Sequence, residues 1–230
     1  MRVLGIGAHP DDIEIFFYGI LSACKARGDD IILAVATDGA AGTVMGSSKD
    51  LADKRAEETR NGLMALGMPV LLGLPDGKLA EAEGAGAKIR SLIEEVNPDL
   101  IITHAPEDYH PDHRALSQKV TDATGFICPI LFADTLMGTG FVPDFYIDIT
   151  PFMPAKLSAI AEHHTQEPSR FAEATRFHNR FRAAQCNAPE GYFAEAYRFQ
   201  PRFPFADIRA LVPAAPPVRA FYQASADNFL

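Results

Sequence analysis

The sequence predicts a single α/β domain with a mostly parallel sheet flanked by helices, and three observations carry that prediction. Short apolar runs with the length of buried strands alternate with longer segments whose apolar residues recur at helical spacing. The first such unit, Arg2 to Ala36, is strand-helix-strand in about the shortest length a parallel crossover allows. The 230 residues, 47% hydrophobic and 22% charged, suit one large core better than two small ones.

Taken in order, Arg2 to Gly7 is an apolar strand that ends abruptly at His9-Pro10-Asp11-Asp12. Asp11 to Lys25 places Ile13, Phe16, Phe17, Ile20, Leu21 and Cys24 at helical spacing, with Gly28 as the stop. Ile31 to Ala36 is the second strand, closed by Thr37-Asp38-Gly39. Ala40 to Lys49 is small, polar and rich in glycine, hence a loop. A helix follows over Asp50 to Leu66, then a third strand over Val70 to Leu74, closed by Pro75-Asp76-Gly77. The helix Ala87 to Val96 ends before Asn97-Pro98, as the residue ahead of a proline avoids helical backbone. Leu100 to Thr103 is the fourth strand and runs into His104, and Pro111 to Thr124 is a helix with proline in its first turn. Ile130 to Ala133 and Phe145 to Ile149 are further strands. Ala155 to His164 and Ser169 to Ala184 are helices, and Ala194 to Phe199 is a late edge strand. Residues 200–230 form a Pro-rich extension, packed on the domain of residues 1–199 or extending from it as a lid, an arm or a strap.

The totals exclude several functions. The formal net charge of −9, with no run of Lys or Arg, argues against a nucleic-acid partner. No apolar run reaches the length of a membrane span, and no signal peptide is visible at the start. Cys24, Cys128 and Cys186 are odd in number and widely spaced, which fits neither a disulfide framework nor a paired-cysteine metal knuckle. A cytoplasmic location is the expectation. The Phe-rich stretch Phe199 to Phe205 is core or interface, so a homo-oligomer stays open.

Two short motifs carry the chemistry. His9, Asp11 and Asp12 follow the first strand, at the carboxyl end where open α/β sheets bind ligands. A histidine and a carboxylate three residues apart across such a corner can converge on one metal ion, and the other carboxylate is then free to take a proton from water. A lone aspartate there would more simply cap the helix. His110-Pro111-Asp112-His113 opens a later helix, and its two imidazoles face roughly the same way. One can bind a metal while the other donates a hydrogen bond, with Asp112 supporting an imidazole. His104 is a weaker candidate, for support of the site or of the fold. Arg55, on spacing alone, belongs to a solvated helix face, and His163-His164-Thr165-Gln166 is evenly placed between structure and function. Gly5-x-Gly7-x-x-Pro10 breaks the dinucleotide fingerprint; Gly39, Gly42 and Gly46 lack the Gly-Lys-Ser/Thr of a phosphate loop. No His-Glu-x-x-His and no Gly-x-Ser-x-Gly is present.

The segment Ala8-His9-Pro10-Asp11-Asp12-Ile13-Glu14, followed about a hundred residues later by His110-Pro111-Asp112-His113, resembles the PIG-L/LmbE-like deacetylases. Arg55 with Glu58, the Leu74-Pro75-Asp76-Gly77 turn, and Lys156 with His163 and Gln166 extend the resemblance over Arg2 to Phe199. It implies a Rossmann-like, LmbE-like α/β fold and zinc-dependent removal of the acetyl group from an N-acetylglucosamine-type sugar or glycoconjugate. It further implies that His9, Asp12 and His113 bind zinc and that Asp11 is the general base. His110 would stabilise the oxyanion or act as general acid, oriented by Asp112, and Arg55 would reach substrate hydroxyls. Glu14 and Glu58 carry over as supporting groups. His and Asp ligands also suit other divalent ions. An amidase for a larger thiol-sugar or other N-acyl conjugate is the alternative, and a non-catalytic sugar- or metal-binding module is the third reading.

Overall fold

The computed structural model of the chain describes residues 1–42 and 48–219. Seven strands form one sheet: β1 (Arg2–Gly7), β2 (Asp30–Thr37), β3 (Val70–Leu74), β4 (Leu100–His104), β5 (Ile130–Ala133), β6 (Phe145–Asp148) and β7 (Ala194–Phe199). Their order is β3-β2-β1-β4-β5-β7-β6. The first five run parallel, and β7 is antiparallel to both of its neighbours. The chain winds outward from β1 to β3, then returns to β4 on the other side of β1. The order therefore reverses between β1 and β4, and a crevice opens beyond their carboxyl ends.

Alternate residues of each central strand feed two separate cores. Val3, Leu33, Val35, Leu100 and Ile102 face one way, against α1 (Tyr18–Ala26) and α5 (Met153–Ala161). Leu4, Ile6, Ala34, Ala36 and Ile101 face the other way, against α3 (Ala85–Val96) and α4 (Pro111–Thr124). This is why the strands read as continuous apolar runs: a parallel sheet covered on both faces has no polar side. The remaining helices are α2 (Lys49–Leu63) and α6 (Pro168–Gln185). Among the described residues, no helix is long and apolar enough to cross a membrane.

Two expectations change. β7 is an internal strand of the sheet, paired on one side with β5 and on the other with β6. Its charges Glu195 and Arg198 are both partnered. Buried Glu195 accepts from Lys156 Nζ at 2.6 Å, from Gly19 N–H and Ile20 N–H at 2.8 Å each, and from the Tyr197 hydroxyl at 2.6 Å. Arg198 forms a forked ion pair with Glu107, in the loop after β4. The first helix is also interrupted: a π-helical turn over Ile13–Phe17 precedes α1, with the break at Phe17 (φ −143°, ψ 17°). The Glu195 carboxylate occupies that break and satisfies the N–H groups that the change of pitch leaves free. Only glycine fits at position 19, where a Cβ would lie 2.3 Å from Ile149 and 2.7 Å from Glu195 Oε1.

Residues 200–219 run back along the sheet. Ile208 is buried, and Phe205, Leu211 and Val212 pack on the α1 side of the core. Asp148 at the outer strand β6 donates its N–H to Ala214 O at 2.9 Å.

Candidate active site

The crevice at the sheet's reversal brings the two motifs together. β1 delivers His9 to Asp12, and β4 delivers the loop that ends in His110, the N-cap of α4. His9 Nδ1 lies 3.2 Å from His113 Nε2, across 104 residues of sequence. Asp12 completes a triangle: Oδ2 is 3.3 Å from His9 Nδ1 and Oδ1 is 3.2 Å from His113 Nε2. Tetrahedral zinc with ligands at about 2.0–2.1 Å sets its donors about 3.3–3.4 Å apart, so this triangle has the right size. Among the described residues, three overlapping His/Asp sets crowd the same corner: His9/His110/His113, Asp12/His104/His113 and His9/Asp76/Asp112.

The second nitrogen of each imidazole has a carboxylate behind it. His9 Nε2 is 3.2 Å from both Asp112 Oδ2 and Asp76 Oδ1, and His113 Nδ1 is 3.2 Å from Asp108 Oδ2. A carboxylate hydrogen-bonded to His9 Nε2, as Asp112 is, leaves Nδ1 facing a metal, while Asp108 stands close to His113 Nδ1 as its counter-charge. Burial alone would lower both histidines, but the carboxylates override it, holding His9 well above its ordinary range and lifting His113 to about 9. Burial alone would raise Asp12, yet His113 and His104 hold it well below the carboxylate range. The corner thus collects negative charge around two mutually facing imidazole nitrogens, an arrangement that calls for a cation. The residues present fit a metal ion.

His104 is fully buried and stacks on His113, with ring centroids 3.7 Å apart and planes 13° apart. Its Nε2 is 3.0 Å from Asp12 Oδ2, while its buried Nδ1 has no partner. The same Nε2 also accepts Ala8 N–H at 3.1 Å, so this ring nitrogen is held between a backbone donor and the Asp12 carboxylate. Burial, then the charge of His113, pushes His104 down to about 4. His104 backs the cluster, with its ring against His113 and its Nε2 against Asp12.

Asp11 stands apart from the triangle, on the wall of a cavity of about 290 Å³. Its φ of 123° is rare for any residue but glycine and stores about 1–3 kcal/mol of strain. Burial pushes its carboxyl up to about 6, against the pull of Arg55. Arg55 is not on a solvated face. Its guanidinium is buried and donates to Pro10 O at 2.7 Å, Gly39 O at 3.1 Å and Asp11 Oδ2 at 3.2 Å. It braces the corner and holds Asp11 more than it reaches outward.

His110, half-buried, lines the same cavity. Its Nδ1 accepts from Asp112 N–H at 3.2 Å, so the neutral ring presents Nε2–H. Burial and the neighbouring His9 and His113 keep it below its ordinary range. The Asp112 carboxylate does not orient His110. It accepts from Gly77 N–H at 2.7 Å and Leu79 N–H at 3.0 Å and lies beside His9 instead. Residues two apart at a helix start do not face each other, which is why the expected pair does not form.

Asp108 is not among the residues the sequence nominates, and Asp76 enters there only within the Leu74-Pro75-Asp76-Gly77 turn of the resemblance, with no role of its own. Asp108 had a signal, an acid two residues ahead of His110; Asp76 was hidden inside what reads as an ordinary Pro-Asp-Gly turn. Asp108→Asn is expected to weaken metal affinity about 10–100-fold, measured by titration of the metal-free protein. Glu14 and Glu58 hold the turn after α5: His163 Nε2 lies 2.9 Å from Glu14 Oε1, and Glu58 accepts from Thr165 N–H and hydroxyl at 2.8 and 2.6 Å. That turn brings Gln166 to the cavity. Gly42 is on the cavity wall, whereas Gly46 lies outside the described residues.

Fold and site together define a class: an α/β protein with a His/Asp cluster able to hold a metal, open on one side to a small cavity with a spare carboxylate. The family model for PIG-L (GlcNAc-PI de-N-acetylase) matches residues 4–124, which include both motifs. The chain belongs to the PIG-L deacetylase family. It is 28% identical over 222 residues to a diacetylchitobiose deacetylase of Thermococcus kodakarensis, covering 87% of this chain and 83% of that one. It is 29% identical over 186 residues to a probable N-acetyl-alpha-D-glucosaminyl L-malate deacetylase of Bacillus cereus, covering 72% and 83%. Among solved structures, the 4-carboxy-2-hydroxymuconate hydratase GalB of Pseudomonas putida superposes with a TM-score of 0.76 at 18% identity, over 87% of this chain and 97% of that one. That likeness is one of fold.

Proposed function

We propose that this protein is a zinc-dependent de-N-acetylase acting on an N-acetylglucosamine-type sugar or glycoconjugate, with His9, Asp12 and His113 as the metal ligands. The observation that carries the reading is the strained Asp11 carboxylate beside a three-donor triangle. A closed structural site has no use for a spare base, and a catalytic one does. Zinc held there supplies Lewis acidity, which makes water a nucleophile near neutral pH and polarises an amide carbonyl.

The protein's own groups account for the rest. Asp11 accepts the proton of the attacking water, steadied by Arg55 at 3.2 Å. His110, capped through Nδ1, offers Nε2–H to the oxyanion as the carbonyl carbon becomes tetrahedral. This favours a neutral His110 as donor over a protonated one, since a proton on Nδ1 would cost the cap. Asp11 then returns its proton to the leaving nitrogen, and acetate and a free amino sugar depart. Asp76, Asp108 and Asp112 hold the two imidazole ligands in place throughout.

The test uses protein stripped with a chelator and reloaded with zinc. Release of primary amine from N-acetylglucosamine, diacetylchitobiose and larger N-acyl thiol-sugar conjugates is expected only after reloading. Stoichiometric zinc with no amine released from any N-acyl sugar would overturn the reading and leave a binding module.

A further inference from the structure

We infer that the cavity selects uncharged N-acetylglucosamine-type glycosides and rejects those whose aglycone carries a carboxylate; this rests on the de-N-acetylase reading. The relatives leave the point open, because one is named for diacetylchitobiose, which is neutral, and another for a malate glycoside, which is acidic. The lining of the cavity separates them.

A carboxylate brought into a water-poor cavity needs a cation or several donors, or it loses its hydration without return. Among the described residues that line the cavity, Arg55 is the sole Lys or Arg. Its guanidinium is committed to Pro10 O, Gly39 O and Asp11, and its Nε is buried out of reach. Residues 43–47, which follow Gly42, contain no Lys or Arg in their sequence, and Lys49, at the exposed start of α2, is not part of the lining.

The charge balance points the same way. Asp11, Asp12 and Asp76 all face the cavity, opposed by Arg55 and, when bound, a divalent ion. Three negative charges then meet three positive ones, and no surplus positive charge remains for an acidic substrate. Part of the wall is apolar, where Ile15, Phe16, Leu136 and Phe171 form a surface suited to the C–H face of a pyranose ring; Tyr109, His110 and Gln166 add polar groups but no cation. At about 290 Å³ the cavity sits at the small end of ligand sites, which run to about 1,000 Å³, so a sugar and its aglycone crowd the same lining. A negative aglycone there meets Asp76 and the wall rather than a basic residue, and unpaired charge is an effective means of rejecting a wrong partner.

The experiment compares kcat/KM of the zinc-loaded protein on three matched α-glycosides of N-acetylglucosamine, at fixed pH and low salt: the methyl glycoside, the malate glycoside and the dimethyl ester of the malate glycoside. The ester has the bulk of the malate glycoside without its charge. Deacetylation of the ester at least tenfold more efficiently than the diacid is expected. Leu136→Arg, which adds a basic residue to the wall, should narrow that ratio, with Phe171→Arg as the second variant should the first misfold. Diacid turnover equal to or above that of the ester overturns the inference while leaving the de-N-acetylase reading intact. No amine released from any of the three by zinc-loaded protein fails both.

Discussion

Exchange of Asp11 for Asn is expected to lower kcat for deacetylation by about 10²–10⁴-fold, the usual contribution of a positioned general base, with bound metal unchanged. Asn is the informative choice because it tolerates a positive φ, which position 11 requires. It also keeps a side-chain oxygen for Arg55, whose bonds to Pro10 O and Gly39 O do not depend on position 11. The variant should therefore fold, hold zinc and fail in turnover. Asp11→Ala is expected to do the same with some loss of stability, as its Cβ carries no polar group to offset the strained backbone. Metal analysis beside a steady-state assay checks both. Turnover of Asp11→Asn at the wild-type rate would take the base away from Asp11 and assign the proton transfer elsewhere.

The second large effect is expected at Asp12. Asp12→Ala should abolish stoichiometric metal binding and destabilise the fold by about 3–5 kcal/mol, the cost of removing one member of a buried ionic cluster. Asp12 is 3% exposed and lies within 3.3 Å of ring nitrogens on His9, His104 and His113, and it also accepts His9 N–H at 2.6 Å. Without it, three crowded imidazoles lose their common counter-charge and the backbone corner loses its bond. Urea unfolding and metal titration of the same sample separate the two losses. A variant that still binds one zinc with wild-type affinity would move the ligand set to His9/His110/His113 or to His9/Asp76/Asp112, both of which are close enough to serve.

Much of this site is legible because its parts are local. His9, Asp11 and Asp12 are placed by one strand end, and His110 and His113 by one helix start; short-range geometry and donor chemistry nominate them without knowledge of the fold. What joins the halves is the return of the chain to β4 beside β1, and the strand-helix alternation already implies a parallel sheet in which such a return occurs. Arg55 shows where the reasoning stops. Periodicity reads apolar residues as the buried face of a helix. Yet α2 buries Arg55, Glu58 and Thr59 ahead of the core residue Leu63, so the part of its buried stripe nearest the site is polar. The internal position of β7 likewise depends on distant groups: Glu195 and Arg198 find their partners on α5, at the start of α1 and in the loop after β4.

The sequence by itself determined the alternation of strands and helices, the two-faced burial of the sheet and the identity of the polar residues at two of its corners. These follow from local spacing, which every residue carries with it. Tertiary structure decided which carboxylate stands behind which imidazole, that Asp112 serves His9 and not His110, and that Arg55 turns inward to hold Asp11. Such pairings depend on distances of about 3 Å between atoms far apart in the chain, and only packing sets them.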